Sequence, residues 1–175
     1  MLYNHGLKDF YKLTNYYYKY TLGGLMMKEN TLVILKPDCL ERNLVEKCVS
    51  RLIEIGKIER IKYHIVKTEE ILKHYQENLI NQPNEIKNRV LDYFVNKAVI
   101  IITLSGIDII KRVRDLIGAS DPSKAKKNSI RGEFCNDSYE LAESENRSCR
   151  NIIHASDSKI SYKYEYDIWF SKRDL

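Results

Sequence analysis

Short apolar runs alternate with amphipathic stretches along most of this chain, and that order constrains the fold more than any other feature. Four segments have the apolar or alternating pattern of strands: residues 31–35, 58–66, 98–104 and 151–154. The first is halted by Pro37, which a central strand does not tolerate. The first and third are apolar almost without interruption, which is typical of buried strands.

The remaining patterned segments predict helices. They cover residues 42–55, a stretch from Thr68 to Pro83, a further stretch to about Asn96, residues 107–117 and residues 158–169. Thr68 is predicted to cap its helix, because Glu69 and Glu70 then lie in the first turn, where the helix dipole favours negative charge. Gly118 follows the helix at 107–117 as its C-cap.

The resulting order of elements is β-α-β-α-α-β-α-β-α in a chain of 175 residues, enough for one domain. This order predicts an antiparallel four-stranded sheet with helices stacked on one face, an α+β sandwich of the ferredoxin-like kind. Such folds carry many unrelated activities, so the function has to be inferred from particular side chains.

Composition excludes some classes of protein and leaves others open. The longest apolar run, residues 98–104, is too short to span a bilayer, and no secretory signal is present, so we expect a cytoplasmic protein. The four cysteines form no Cys-x-x-Cys pair and are expected to be reduced thiols, not zinc ligands. A net charge of +5 suits a nucleotide or a nucleic acid and does not choose between them.

Residues 1–26 differ from the rest of the chain. Tyrosine is crowded there, and no apolar face is present at helical or strand spacing. We interpret this segment as a non-native or disordered leader, with the native start at Met26 or Met27 and the domain at 27–175. A genuine flexible extension is the alternative.

His154 is the strongest candidate for chemistry. It lies at the end of the fourth predicted strand, on the same face as Ser156, and the Ser-Asp-Ser sequence that follows can cap the next helix. A neutral imidazole beside a helix N-terminus is well placed to act as a nucleophile toward an anion. A structural histidine is the alternative, and it is our interpretation of His5, His64 and His74.

Basic residues provide capacity for phosphate. Arg114 precedes Gly118, Arg131 lies in the sequence Ser-Ile-Arg-Gly-Glu-Phe, and Lys36 ends the first predicted strand. Guanidinium groups suit phosphate oxygens because their planar forks bind two oxygens at once. The chain has no Walker-type glycine-rich loop, so it is not expected to be a P-loop enzyme.

Together these residues resemble the nucleoside diphosphate kinase family. Four blocks carry the resemblance in the family's order: TLVILKPD at 31–38, RDLIGASDP at 114–122, SIRGEF at 129–134 and NIIHASDS at 151–158. Glu165 and the pair Trp169 and Phe170 match the glutamate and the aromatic pair of the family's last helix. The resemblance covers about residues 28–170, and the block around the histidine is highly specific.

The resemblance implies a ping-pong kinase. A nucleoside triphosphate would give its γ-phosphoryl group to His154 Nδ1, and a diphosphate would then take it, with Mg²⁺ held by the nucleotide phosphates and water. By resemblance, the phosphates are held by Arg114, Arg131 and Ser120, and the sugar is reached by Lys36 and Asn151. Lys36 would also neutralise the transferring group, and Tyr75 would lie near the histidine. Glu165 would bind the other imidazole nitrogen, directly or through a neighbour, and Ser156 would support that network. Family members are hexamers or tetramers, so a homo-oligomer is expected.

Two departures from the family pattern bear on the nucleotide site. Asn84 stands where an aromatic residue usually stacks on the base, so the base contact stays unassigned. Residues 135–149 are longer than usual, acidic and polar, and predict a loop insertion with a short helical turn in its middle, near the nucleotide entrance. A surface insertion without function is the alternative, and it is the one we favour.

Two other functions compete with the kinase. A nucleic-acid-binding module on this fold would need paired aromatic residues on its central strands, and residues 31–35 and 98–104 contain none. A family relative that has lost catalysis would serve as a nucleotide-binding or scaffold protein, although every charged catalytic position is present. We therefore expect nucleotides as partners, with no membrane and no nucleic acid required.

Overall fold

A computed structural model of the chain describes residues 28–170, so the predicted leader at 1–26 lies outside the described residues. The strands are β1 Lys28–Leu35, β2 Lys57–Ile65, β3 Ala98–Ile107 and β4 Ile153–Ala155. They form one sheet in the order β2-β3-β1-β4, in which every neighbouring pair is antiparallel. The sheet is therefore the predicted ferredoxin-like one, with β1 and β3 at its centre.

Helices fill the connections between the strands. They are α1 Pro37–Glu41, α2 Val45–Ile53, α3 Thr68–His74, α4 Gln76–Leu79, α5 Asn84–Phe94, α6 Ile109–Ile117, α7 Ile130–Phe134, α8 Tyr139–Ser144 and α9 Lys159–Trp169, with a 3₁₀ turn at Pro122–Lys124. Gly118 ends α6 as the predicted C-cap, with φ 83° and ψ −178°, a positive-φ conformation that favours glycine. The helical turn predicted within the insertion is α8.

Several predicted boundaries were wrong. The helix predicted at 42–55 is shorter, Val45–Ile53, and Asn43, at φ 55°, separates it from α1, which precedes the predicted segment. The cap of α3 is Lys67, not Thr68, and the Glu70 carboxylate accepts a hydrogen bond from the Lys67 N–H at 2.9 Å. The fourth strand begins at Ile153, because Ile152 has φ 51° and does not continue a strand.

Helices cover both faces of the sheet, so the prediction that they stack on one face was wrong. Val33 and Leu35 of β1 pack in a cluster with α2, α6 and α7. Leu32 and Ile34 point to the opposite face, where α3, α5 and α9 cover them. A strand buried on both faces needs an unbroken apolar run, and this explains the sequence of β1.

Two further expectations concern the described part of the chain. Its four cysteines are free, as predicted, and the Cys39 and Cys48 sulfurs lie 3.8 Å apart in the core. Within residues 28–170, no helix has both the length and the apolarity needed to cross a membrane.

Candidate active site

His154 lies in the middle of β4, where its backbone pairs with Ile34 of β1. The neighbouring positions Ile153 and Ala155 are buried in the core below the sheet. The His154 side chain itself is 23% exposed. The strand thus holds the backbone firmly and leaves one edge of the imidazole accessible.

The Nε2 side of the His154 ring contacts a buried carboxylate. Nε2 lies 2.9 Å from Oε1 of Glu165, a residue of α9 whose side chain is 8% exposed. The other carboxylate oxygen accepts a hydrogen bond from Ser156 Oγ at 2.6 Å, and the Leu32 N–H donates to the same hydroxyl at 3.3 Å. An ionised carboxylate only accepts, so the imidazole carries its proton on Nε2 and has a lone pair on Nδ1.

Burial and cations keep this imidazole neutral. Burial lowers the pKa of His154 to about 3, and the charges of Lys36, Arg131 and then Arg114 act in the same direction. Burial raises the pKa of Glu165, while His74 and the Ser156 hydrogen bond oppose that rise. The neutral imidazole is the nucleophilic form, and it is available throughout the physiological pH range.

Lys36 ends β1 as a buried cation beside this ring. Its Nζ donates to Asn151 Oδ1 at 2.6 Å, and the Asn151 amide in turn donates to the Ser120 carbonyl at 2.8 Å. Burial, followed by the charge of Arg131, lowers the pKa of Lys36 to about 8. A desolvated ammonium with few protein partners is suited to an anionic ligand.

Arg131 connects the loops around the site. Its guanidinium donates to the carbonyl oxygens of Asn151 at 3.2 Å, Gly118 at 2.8 Å and Ile153 at 2.5 Å. The side chain is buried at the start of α7, which Ser129 caps by accepting from the Gly132 N–H. These carbonyls use part of the donor capacity of Arg131, so this residue both builds the site and adds positive charge to it.

Arg114 and Ser120 lie at the exposed rim of the site. Arg114 is in the last turn of α6, and its charge acts on both His154 and Glu165. Ser120 follows the Gly118 turn, and its side chain is exposed. Gly118 is required there, because a Cβ would lie 2.3 Å from Ser129 Oγ and φ is positive.

Strained backbone precedes β4. Ile152 is fully buried and has φ 51°, a conformation that a β-branched residue adopts only under strain of about 1–3 kcal/mol. Two hydrogen bonds hold it: its N–H donates to Asp38 Oδ2 at 3.1 Å, and its carbonyl accepts from the Lys36 N–H at 2.8 Å. Asp38 was not predicted to be a site residue, although its place in the block shared with the family was a signal.

The remaining wall of the site is aromatic. Tyr75 packs on Phe94, and its ring centroid lies 6.5 Å from that of His154. Burial, and then the charge of Glu165, raise the Tyr75 pKa, so its phenol stays protonated. His74, which we interpreted as structural, has its ring centroid only 4.6 Å from that of His154. Its proximity to Tyr75 in the sequence was the only available signal.

The insertion contacts the same region from outside. Arg147 binds Asp137 at its base, and Arg89 of α5 binds Glu143 of α8 at 2.6 Å. Burial raises the pKa of Tyr139, the first residue of α8, while the Ser120 hydroxyl and the charge of Arg131 are close enough to oppose the rise. The insertion therefore brings a phenol to the rim of the cleft.

The structure thus brings most of the predicted site residues together. Around His154 lie Glu165, Ser156, Lys36, Asn151 and Arg131, with Tyr75 on the aromatic side and Arg114 and Ser120 at the rim. Asn84, by contrast, begins α5 as an exposed polar residue. The arrangement can accept a transferable anionic group on Nδ1, because cations act on the ring and a carboxylate is bound to Nε2.

Known proteins are similar to this chain in sequence and in fold. The family model described as nucleoside diphosphate kinase matches residues 29–175. A nucleoside diphosphate kinase of Thermoplasma volcanium is 34% identical over 148 residues, which span 84% of this chain and 92% of that protein. One of Pyrococcus horikoshii is 34% identical over 148 residues, spanning 84% and 88%.

Solved structures agree with the sequence comparisons. The structure of nucleoside-diphosphate kinase from Borrelia burgdorferi, a transition state mimic with bound vanadate and ADP, superposes with a TM-score of 0.79 at 30% identity, over 86% of this chain and 91% of that one. An NDP kinase from Pyrobaculum aerophilum superposes with a TM-score of 0.73 at 30% identity, over 85% and 99%. This chain therefore belongs to the nucleoside diphosphate kinase family and is a phosphotransferase.

Proposed function

We propose that this enzyme transfers the γ-phosphoryl group of a nucleoside triphosphate to a nucleoside diphosphate through a phosphohistidine at His154. One observation carries the proposal: the Nε2 side of a neutral imidazole is bound to Glu165 at 2.9 Å, which leaves the Nδ1 lone pair available. Lys36 and Arg131 supply positive charge to the same ring. A free lone pair beside cations is what attack on a phosphate requires.

The first half-reaction forms one bond and breaks one. The Nδ1 lone pair attacks the γ-phosphorus, a P–N bond forms, and the bond from that phosphorus to the bridging oxygen breaks. The electron pair of the broken bond leaves with the diphosphate. The ring gains positive charge as it is phosphorylated, and the Glu165 carboxylate stabilises that charge through the Nε2 proton. The second half-reaction reverses these steps with another diphosphate.

The nucleotide contacts follow from the arrangement of polar groups. Lys36 neutralises charge on the transferring group and, with Asn151, reaches the sugar hydroxyls. Arg131, Arg114 and Ser120 hold the phosphates, and Tyr75 lies against the reacting ring. Contacts of this kind fall on phosphate and ribose, so several bases are accepted.

Mg²⁺ fits this site through the nucleotide and not through a protein cage. Among the described residues, the side chains that meet as a possible metal group are His74, His154 and Glu165. Two of these are imidazoles, whereas Mg²⁺ prefers oxygen ligands. The ion, bound mainly by phosphate oxygens and water, would neutralise the charge that spreads over the phosphates during transfer.

Oligomerisation and a cytoplasmic location complete the proposal. β2 is an edge of the sheet, with Ile61, Tyr63 and Ile65 exposed along it. No strand within residues 28–170 pairs with this edge, and exposed apolar residues there favour association with a second copy, which supports a homo-oligomer, a hexamer or a tetramer. The free thiols Cys39 and Cys48, adjacent in the core, suit a reducing cytoplasm.

Labelling with γ-labelled triphosphate tests the phosphohistidine. We expect the protein to acquire label that is acid-labile and alkali-stable, and to pass it to an added diphosphate. His154→Ala should abolish the label, and His64→Ala, at a histidine of β2 whose ring is bound to Glu70, should not. An unlabelled wild type, or label that survives His154→Ala, would contradict the mechanism. Nucleotide binding without any label would favour the scaffold function instead.

A further inference from the structure

His74 is a buried titratable group for which the reaction described above has no use. It is the last residue of α3, and its ring is nearly perpendicular to that of His154, at 81° and 4.6 Å between centroids. Ligand atoms of His74, His154 and Glu165 all lie within 4.8 Å of one another. A second imidazole this close to a nucleophilic one affects its position, its charge or both.

Trp169 determines which nitrogen of His74 carries the proton. The indole Nε1 donates to His74 Nδ1 at 3.2 Å, and an indole N–H can only donate. His74 Nδ1 is therefore an acceptor without a proton. Burial, and next the proximity of His154, lower the pKa of His74 to about 3, so the ring is neutral and carries its single proton on Nε2.

This tautomer makes the histidine group unsuitable for a metal ion. A neutral imidazole ligates through a nitrogen lone pair, but the Nδ1 lone pair of His74 is bound to Trp169 and Nε2 is protonated. A metal would have to displace the indole or remove the proton. The three side chains instead form a hydrogen-bonding and packing group.

The geometry of His154 requires a second restraint besides Glu165. One hydrogen bond to Nε2 fixes the position of one ring atom and still allows the ring to tilt about that contact. His74, held by Trp169, packs edge-to-face against the ring and limits this tilt. Trp169 and Glu165 are both buried residues of α9, so one helix anchors both restraints.

We propose that Trp169 and His74 are positioning residues that hold the His154 ring in line for phosphoryl transfer. Because this rests on the proposed function, the test includes a measurement that does not depend on activity. A small tilt of the nucleophile slows the chemical step and leaves the nucleotide contacts in place, since Asn151 holds Lys36 through its side chain and Arg131 through its carbonyl.

The first test is the protonation of the histidine rings in the full-length wild-type protein. Long-range ¹⁵N–¹H correlation spectra should show His74 as a neutral ring with its proton on Nε2, and His154 likewise. His74→Leu identifies the signal. A wild-type His74 with its proton on Nδ1, or a cationic His74 at neutral pH, would overturn the proposal whether or not the enzyme phosphorylates itself.

The second test separates positioning from binding. Trp169→Phe retains an aromatic ring and removes the donor, so single-turnover phosphorylation of His154 should slow roughly tenfold, with KM within about twofold of wild type. His74→Leu should slow it further, and His74→Asn, whose amide oxygen can still accept from the indole, should recover part of the rate. Wild-type rates in Trp169→Phe and His74→Leu would refute the proposal, as would a loss confined to KM.

Discussion

Two regions near His154 use similar polar groups in opposite ways: the buried wall behind the ring, formed by Glu165 and Ser156, and the insertion at the entrance, residues 135–149. In the wall, Glu165 contacts the imidazole and Ser156 with its side chain 8% exposed. In the insertion, Glu143 binds Arg89 at 2.6 Å with its side chain 68% exposed. Water screens the second pair and not the first, so hydrogen bonds of similar length differ greatly in energetic effect.

Substitutions in these two regions should therefore differ in their effect on catalysis. A buried carboxylate next to a reacting ring can be replaced only at the expense of catalysis, because its negative charge accepts the hydrogen bond of the Nε2 proton. Water competes with the partners of an exposed carboxylate on α8, so its replacement should affect only the local loop.

Glu165→Gln should have the largest effect. The amide can still hydrogen-bond to the ring, but it has no charge to stabilise the phosphorylated imidazole, and we expect single-turnover phosphorylation to slow roughly 100-fold. Glu140→Gln, a matched substitution on the exposed face of α8, should leave the rate unchanged. Equal rates for the two variants would remove the distinction between the wall and the insertion.

The lowered pKa of Lys36 predicts a fall in kcat/KM at alkaline pH. Its pKa is lowered to about 8, so the free enzyme carries this charge below that pH and loses it as the pH rises. Above the pKa, kcat/KM should fall roughly tenfold for each further pH unit, because kcat/KM reports ionisations of the free enzyme.

The control for this pH dependence is Lys36→Arg, which stays charged at every accessible pH. Its kcat/KM should be lower than that of wild type near neutrality, because the Asn151 contact changes, but should stay level as the pH rises. A wild-type profile that is level to about pH 10, where an unperturbed lysine titrates, would show that burial does not shift this group.

The sequence predicted the sheet well because its signals are local. The continuous apolar runs of β1 and β3 indicate strands that are buried on both faces. The turn after α6 is indicated by Gly118, since its φ is positive and glycine tolerates such a φ. The ferredoxin-like class followed from the order of elements, whereas the order of the strands in the sheet came from the structure. Helices on both faces were missed because a periodic pattern shows that a helix has an apolar face and does not show which side of the sheet it covers.

Parts of the site could not be predicted because they depend on contacts distant in sequence. Ile152 is held in its strained conformation by Asp38, a residue 114 positions away. The role inferred for His74 depends on Trp169, 95 positions away. Neither pairing has a local pattern, so motifs identified His154, Lys36 and Glu165 but not the part played by Asp38 or by His74.

Tyr139→Phe should have a small effect confined to substrate binding. The phenol lies near Ser120 and Arg131 at the rim, so loss of its hydroxyl should change KM by about two- to threefold and leave kcat unchanged, equivalent to a single weak hydrogen bond. Tyr164→Phe, an exposed phenol on α9 that contacts Lys73 and Gln76, is the matched control and should change neither constant. A fall in kcat for Tyr139→Phe would mean that the insertion takes part in the transfer step.

The ion pair between Arg89 and Glu143 should have the smallest effect of all. Because the glutamate is mostly exposed, a double-mutant cycle with Arg89→Gln and Glu143→Gln should give a coupling free energy of about 0.2–1 kcal/mol in urea unfolding, and less at high salt. Phosphorylation of His154 should keep its rate in both single variants, since neither residue contacts the ring. A coupling free energy above about 2 kcal/mol would lie beyond the range of exposed pairs. It would mean that the insertion packs onto α5 as firmly as Glu165 and Ser156 pack behind His154. In that case the two regions would differ in chemistry but not in rigidity, and the entrance would be a fixed part of the nucleotide site.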